Sequence, residues 1–235
     1  MNDFYTFIVC STINAETGTV ENKKRFEETI ETLDSIKRKV ENVRIVFVDN
    51  SLIPLTDVQK QILESKSDIC DYIQPNLFIS FTNGVGSKGM GEAYLLFHSL
   101  LLLEKYDLIG KRIFKLSARY KLADSFDIMT YDNTDLYGKY CFRINDWDVS
   151  LDNFVNHRET ITYFETRLFS FCHTLFYEYA DIIKSCFMTM IQQFGKPMCN
   201  WERCHYTYIP HEKVLDMKPI HVEGTNAENG VYRFE

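Results

Sequence analysis

The chain has 235 residues, of which 45% are hydrophobic and 25% charged, and its ten glycines and five prolines are too few for a collagen-like or low-complexity chain. This length fits one large domain better than two independent ones. The formal charge of −7 disfavours a dedicated nucleic-acid binder but is compatible with a local basic pocket. We expect a globular protein with one main core.

The N-terminal segment has no pattern of a secretory leader, because Asp3 stands where positive charge is typical and the apolar stretch that follows is short. The longest apolar run is also too short to span a bilayer. Seven cysteines without CxxC spacing predict reduced thiols. We therefore expect a cytoplasmic protein with no transmembrane segment and no nucleic-acid partner.

The first half alternates strand and helix patterns. A strand is predicted from Phe4 to Cys10, and a helix from Lys23 to Val40, where apolar residues recur at steps of three and four. A second strand covers Val43 to Val48, a short helix lies near Asp57 to Glu64, and a short strand near Asp71 to Gln74. This βαβα order predicts right-handed crossovers and a mostly parallel sheet.

A glycine-rich segment and a further strand continue the pattern. We predict a loop from Asn83 to Glu92, followed by a helix to about Glu104 and a central strand from Arg112 to Ser117. The second half has strand patterns at Leu136 to Arg143 and Ile161 to Phe169, and a helical one from Leu175 to Gln193. The whole chain therefore reads as one α/β domain.

Polar residues follow three of the predicted strands, as Ser11 and Thr12, as Asp49 to Ser51, and as Ser117 to Arg119. In parallel sheets ligands bind beyond the carboxyl ends of the strands. Asp49 can accept hydrogen bonds from a ribose or a base, or it can close an Asx-turn. The guanidinium of Arg119 can clamp a diphosphate, or it can pair with a structural carboxylate.

The loop from Asn83 to Glu92 is the strongest local signal. Its glycines let backbone N–H groups approach a phosphate, and Lys88 adds a mobile cation. An ordinary flexible loop before a helix is the alternative, because the spacing matches neither a P-loop nor a dinucleotide fingerprint.

Three short motifs carry a resemblance: Val-Asp-Asn-Ser at 48–51, Lys-Gly-x-Gly-Glu at 88–92 and Phe-Lys-Leu-Ser-Ala-Arg-Tyr at 114–120. In this order they resemble small GT-A glycosyltransferases, particularly viral and bacterial transferases of the lipopolysaccharide and capsid-glycan type. The resemblance covers about residues 4–130 and, more faintly, 201–205. It implies a Rossmann-like GT-A fold, with a nucleotide-sugar-binding half at about 1–125 and a smaller acceptor-side half at about 126–235.

The resemblance also implies roles for individual residues. The positions that would contact the nucleotide-sugar are Thr12, Asp49, Asn50, Lys88, Gly89, Glu92, Ser117 and Arg119. GT-A enzymes usually place Asp-x-Asp at the end of the central strand to hold Mn²⁺ or Mg²⁺, whereas this chain has Ser117-Ala118-Arg119 there. We therefore predict that no metal cofactor is required and that fixed cations stabilise the leaving group.

The cations nearest in sequence are Lys88, Lys115, Arg119 and Lys121. The only literal Asp-x-Asp is formed by Asp146 and Asp148, which we predict to lie in a loop after a strand. These two aspartates are the fallback site for Mn²⁺ or Mg²⁺.

An inverting transferase needs a carboxylate that deprotonates the acceptor hydroxyl, and Glu202 is our candidate. It follows Trp201, whose ring can stack on a sugar, and Tyr120 is a second candidate acceptor contact. Asp124 is the alternative base, with Asp146 and Asp148 as further competitors. A Trp-Glu pair that merely packs a helix is the structural alternative.

The leading prediction is a glycosyltransferase that moves a sugar from a nucleotide-sugar to a glycan or lipid-linked acceptor, with inversion and without a metal. A nucleotidyltransferase of sugar metabolism is the runner-up, weakened by the single glycine, Gly18, that follows the first strand. A non-catalytic nucleotide- or saccharide-binding module is the third possibility.

Overall fold

The computed structural model describes residues 2–16, 20–83, 88–150, 158–194, 200–226 and 231–235, with backbone alone at 147–150 and 158–159. None of the helices in these ranges combines the length and apolar character needed to cross a lipid bilayer. The six cysteines that fall within the described residues are free thiols.

Ten strands form two sheets within the described chain. They are β1 Asn2–Ser11, β2 Val43–Asp49, β3 Ile69–Tyr72, β4 Gly110–Ser117, β5 Tyr120–Leu122, β6 Tyr140–Ser150, β7 Arg158–Cys172, β8 Val214–Asp216, β9 Val222–Thr225 and β10 Tyr232–Phe234. The main sheet has the order β3-β2-β1-β4-β7-β6-β8, and the small sheet has the order β10-β9-β5.

The main sheet is parallel from β3 to β4, and β7 then lies antiparallel to both β4 and β6. Ser11 of β1 pairs with Asp49 of β2, and Cys10 pairs with Ser117 of β4. The polar ends of three strands therefore meet at one edge of the sheet, as the sequence predicts.

Six α-helices cover the sheet in the described residues. They are α1 Asn22–Lys39, α2 Asp57–Glu64, α3 Leu77–Asn83, α4 Lys88–Lys105, α5 Phe176–Gln192 and α6 Trp201–Tyr208. Successive residues of β1 point to opposite faces, so Ile8 joins the core under α4, α5 and α6, whereas Phe7 and Val9 join the core under α1. This arrangement is a mostly parallel α/β sheet flanked by helices on both faces.

The glycine-rich segment is more helical than predicted. Helix α3 ends at Asn83 and α4 begins at Lys88, so Asn83 and residues 88–92 of the predicted loop are helical, and residues 84–87 lie outside the described residues. A Cβ at Gly91 would lie 3.3 Å from the Cβ of Thr82. Gly91 therefore allows the first turn of α4 to pack closely on α3.

The prediction that Asp146 and Asp148 lie in a loop is wrong. Both belong to β6, where Asp146 pairs with Thr162 and Asp148 pairs with Thr160 of β7. The antiparallel pairing of β6 with β7 continues beyond the apolar part of both strands, so the polar residues Asp146 and Asp148 are also paired within β6.

Candidate active site

A cavity of about 150 Å³ lies at the carboxyl ends of β1 and β4. Its walls come from β1 and the loop after it, from α1, from α3 and α4, and from β4. The lining residues are Cys10, Ser11, Thr12, Ala15, Arg25, Thr29, Asn83, Lys88, Glu92, Leu95, Lys115, Ser117, Ala118 and Arg119. Four of these side chains are cationic and one is acidic, so the cavity is locally basic in an acidic protein. The structure thus brings five predicted site residues together: Thr12, Lys88, Glu92, Ser117 and Arg119.

Lys115 is fully buried at this cavity. Its ammonium group forms an ion pair with the carboxylate of Glu92, and it donates hydrogen bonds to Ser117 Oγ at 2.8 Å and to the carbonyl oxygen of Thr166 at 2.7 Å. The neighbouring thiol of Cys10 is neutral, because burial raises its pKa to about 12. Three acceptors already engage Lys115, so its charge is balanced within the protein.

Two of the four predicted cations remain available to a ligand. Lys88 is exposed, and Arg119 is half-buried with an Nε atom that has no hydrogen-bond partner in the described chain. Lys121 lies elsewhere, because it pairs with Glu31 at 3.7 Å and with Glu223 at 3.4 Å in a neighbouring cavity of about 230 Å³. Arg119 lines both cavities.

Asp49 is 2% exposed, and its carboxylate connects the segment that follows β1 with the segment that follows β2. Its Oδ2 accepts a hydrogen bond from Ile13 N and its Oδ1 accepts one from Ser51 N, both at 2.9 Å. Burial raises the pKa of Asp49, although these hydrogen bonds oppose the shift. Thr12 Oγ1 donates to Asn50 Oδ1 at 2.5 Å. Of these residues only Thr12 lines the cavity, and the nucleotide contacts of Asp49 and Asn50 stay predictions.

Glu202 lies in the first turn of α6, whose start is capped by Asn200 Oδ1 accepting from Arg203 N at 2.9 Å. Burial raises the pKa of Glu202 to about 7, and the negative charges of Glu92 and Glu165 add to the shift. Glu202 is thus a carboxyl group that titrates near neutrality and lies close enough to Glu92 to feel its charge. Such a group can exchange a proton with a hydroxyl at physiological pH.

Trp201 and Tyr120 do not offer the exposed faces that sugar stacking requires. Trp201 is fully buried, with its ring centroid 3.9 Å from that of His205, and Tyr120 is buried beneath the guanidinium of Arg167. The expectation of an acceptor platform at either ring is therefore not met in this structure. The cause for Trp201 is its position on α6, which turns the ring into the core under α5.

Two of the competing aspartates, Asp124 and Asp146, do not line the cavity. Asp124 is fully exposed and pairs with Lys39 at 3.2 Å, near the end of α1. Asp146 Oδ1 accepts from Thr162 Oγ1 at 2.8 Å on β6, and the side chain of Asp148 lies outside the described residues. Among the described residues, no group of three His, Cys, Asp or Glu side chains is arranged to hold a metal ion.

Arg25 and Thr29 are cavity residues that the sequence interpretation missed. Both lie on the buried face of α1, four residues apart, together with Thr32. The periodic apolar stripe directed attention to Phe26 and Ile30, which are only partly buried. Arg25, Thr29 and Thr32 follow one another at steps of four and three residues, and this helical spacing was the signal in the sequence that could have indicated a second buried face of α1.

The fold is that of the GT-A glycosyltransferases. No protein-family model matches the chain, and no curated protein sequence does. Among solved structures, the bifunctional glycosyltransferase WbbM is similar with a TM-score of 0.55 at 10% identity, over 92% of this chain and 39% of that one. Core-mannan synthase A of Aspergillus fumigatus, determined in a Mn/GDP form, has a TM-score of 0.53 at 12% identity, over 96% of this chain and 76% of that one.

Two further structures extend the comparison. Galactosyltransferase LgtC, in complex with donor and acceptor sugar analogues, has a TM-score of 0.53 at 11% identity, over 90% of this chain and 72% of that one. The 4-diphosphocytidyl-2C-methyl-D-erythritol synthase of Anaerococcus prevotii has a TM-score of 0.50 at 16% identity, over 92% of this chain and 86% of that one. The chain spans about two fifths of the length of WbbM. At these identities the likeness shows a shared fold.

Proposed function

We propose that the chain is a glycosyltransferase that moves a sugar, with inversion, from a nucleotide-sugar donor to a saccharide or lipid-linked acceptor. The observation that carries the proposal is the raised pKa of Glu202, about 7, together with the action on Glu202 of the charges of Glu92 and Lys115, which both line the locally basic cavity at the carboxyl ends of β1 and β4. The likeness to WbbM, core-mannan synthase A and LgtC supports the same class of reaction.

The roles follow from the charges in place. Glu202 as carboxylate takes the proton of the acceptor hydroxyl, whose oxygen forms a bond to the anomeric carbon. The bond from that carbon to the donor phosphate breaks on the opposite face, and the negative charge that develops on the phosphate is stabilised by Arg119 and Lys88. Thr12 and Ser117 border the same space. The first half, to about residue 125, supplies the donor side, and residues 126–235 supply Glu202 on the acceptor side.

The proposal includes metal-independent stabilisation of the leaving group. The test is to incubate the purified protein with a panel of nucleotide-sugars in excess chelator, and to measure thermal stabilisation and nucleotide release. We expect both with at least one donor. Release that returns only with Mn²⁺ or Mg²⁺ would overturn the metal-independent part, and Asp146 with Asp148 would then be the first ligands to test.

The role of Glu202 is tested by Glu202→Gln, which we expect to keep nucleotide-sugar binding and to lose at least a hundredfold in turnover. Glu212→Gln is the matched control, because Glu212 is an exposed acid shortly after the same helix. Equal turnover of the two variants would remove Glu202 from the reaction.

A nucleotidyltransferase is the second candidate, favoured by the similarity to the 4-diphosphocytidyl-2C-methyl-D-erythritol synthase. It is separated by incubation with radiolabelled pyrophosphate and a nucleotide-sugar, because a nucleotidyltransferase returns the label in nucleoside triphosphate. Binding of a nucleotide-sugar with neither release nor exchange would instead indicate a non-catalytic binding module.

A further inference from the structure

The guanidinium group of Arg25 is buried at the cavity and has no ion-pair partner in the part of the chain that the structure describes. Arg25 lies in the first turn of α1 and is 5% exposed. Its Nε donates to the carbonyl oxygen of Val20 at 2.9 Å and its Nη1 donates to that of Thr12 at 3.3 Å. Both acceptors are neutral, and within the described residues Arg25 forms no ion pair. The two carbonyl groups therefore fix the position of the cation without neutralising it.

A second guanidinium group enters the same cavity from the end of β4. Arg119 likewise forms no ion pair within the described chain, and its buried Nε has no hydrogen-bond partner there. Its charge reaches Arg25, because the pKa of Arg25 is lowered first by burial and then by Arg119. Glu28, one turn along α1, opposes this shift but does not reverse it.

Two like charges held near each other in a partly buried space raise the free energy of the empty protein. A doubly charged anion between them relieves this repulsion, and Arg25 keeps N–H groups beyond the two that donate to carbonyl oxygens, with which it can donate to phosphate oxygens. A divalent cation, by contrast, would face Arg25, Arg119 and Lys88 with a single acid, Glu92, that is already paired with Lys115. The charge pattern selects an anion.

We propose that Arg25 and Arg119 form a paired-guanidinium site that binds a diphosphate directly, with no divalent cation between protein and ligand. The assignment of this diphosphate to a nucleotide-sugar donor rests on the proposed function, whereas the anion site itself rests on the two arginines. The distinctive element is Arg25, which brings helix α1 into the binding of the phosphates.

The test is calorimetric titration of the whole chain with inorganic pyrophosphate in excess chelator. We expect binding in the unmodified protein, and at least tenfold weaker binding in both Arg25→Gln and Arg119→Gln. Lys23→Gln is the matched control, because it removes one positive charge from the same turn of α1 at a side chain that is 86% exposed. Binding that requires added Mn²⁺, or equal weakening in all three variants, overturns the proposal.

Arg119→Gln also separates a loss of anion binding from a loss of folding stability. Arg25 donates to two carbonyl groups, so its replacement can disturb folding, whereas Arg119 Nε has no partner to lose. Removal of the repulsion should leave the ligand-free Arg119→Gln protein as stable as the unmodified one or more stable, while pyrophosphate binding falls. A variant that is less stable and binds pyrophosphate normally contradicts the site.

The outcomes separate this site from the proposed activity. Pyrophosphate binding that depends on both arginines, without any release from nucleotide-sugars, keeps the anion site and rejects the transferase. Metal-free release from a nucleotide-sugar that is unchanged in Arg25→Gln keeps the transferase and rejects the paired site. Uridine and guanosine diphosphates, compared with their nucleosides, show whether the diphosphate alone accounts for the dependence on Arg25.

Discussion

The ammonium group of Lys115 and the carboxylate of Glu92 form an ion pair that joins the centre of the main sheet to the second turn of α4. Lys115 is fully buried, whereas the Glu92 side chain is 28% exposed at the cavity wall. The pair therefore fixes the position of one acid at the site and balances one lysine beneath it.

Breaking this pair should destabilise the fold. Glu92→Gln leaves the ammonium of Lys115 buried without its counter-charge, and we expect a loss of about 3 kcal/mol in the free energy of unfolding. The double variant Glu92→Gln with Lys115→Met should recover part of this loss, because the uncompensated charge is removed. Urea unfolding measures both, and simply additive losses would contradict the coupling of the two residues.

The raised pKa of Glu202 predicts the pH dependence of the reaction. Glu202 must be deprotonated to act as a base, so kcat/KM should fall tenfold per pH unit as the pH drops below about 7. In Glu92→Gln this acid limb should move to lower pH, because a negative charge that raises the pKa of Glu202 is gone while Lys115 still lowers it. An acid limb at the same pH in both proteins would assign the titration to another group.

Asp49→Asn distinguishes a structural from a ligand-binding carboxylate. Because both oxygens of Asp49 accept backbone N–H groups, we expect a loss of about 2 kcal/mol in stability, with nucleotide affinity retained by the folded protein. Asp181→Asn, at an exposed ion pair with Lys184, should change stability by about 0.5 kcal/mol or less. Normal stability with weakened nucleotide binding would indicate that Asp49 contacts the ligand.

Gly224 sets the position of Arg119 through the small sheet. A Cβ at Gly224 would lie 2.1 Å from the carbonyl oxygen of Arg119, so Gly224→Ala should cost about 1–3 kcal/mol and weaken pyrophosphate binding. Gly138→Ala is the control, because Gly138 has φ of +66° and nothing within 4 Å of its Cβ position. Its cost should be about 1 kcal/mol of backbone strain, with pyrophosphate binding unchanged. Thermal unfolding and calorimetric titration give the two readouts.

Local patterns were enough to predict the parallel half of the fold. The apolar runs of β1, β2 and β4 and the periodicity of α1 depend on residues close in sequence, and the alternation of strand and helix fixes which strand ends meet. The sequence therefore predicts that Thr12, Ser117 and Arg119 lie together, and the structure confirms this.

The side-chain partners were not predictable in the same way. The acceptors of Lys115 come from α4, from β4 itself and from β7, and nothing local to residue 115 shows that its charge is already balanced. The burial of Trp201 likewise depends on how α6 packs against α5. The sequence does not predict the position of Arg25, because a basic residue near a helix start usually lies in solvent. Its burial at the cavity depends on how α1 packs against the rest of the protein.

Lys115 also affects the register in which β4 pairs with its neighbouring strands. It stands opposite Phe169 of β7, between Phe114 and Leu116, whose side chains point to the α1 face of the sheet. A slip of β4 by one residue would reverse these faces, placing the ammonium group among apolar side chains and a phenylalanine or leucine beside Glu92. A misaligned sheet would therefore contain an unpaired charge in its interior. Lys115, beneath the cavity, thus also favours the native strand register, because a shift by one residue would bury its charge without a partner.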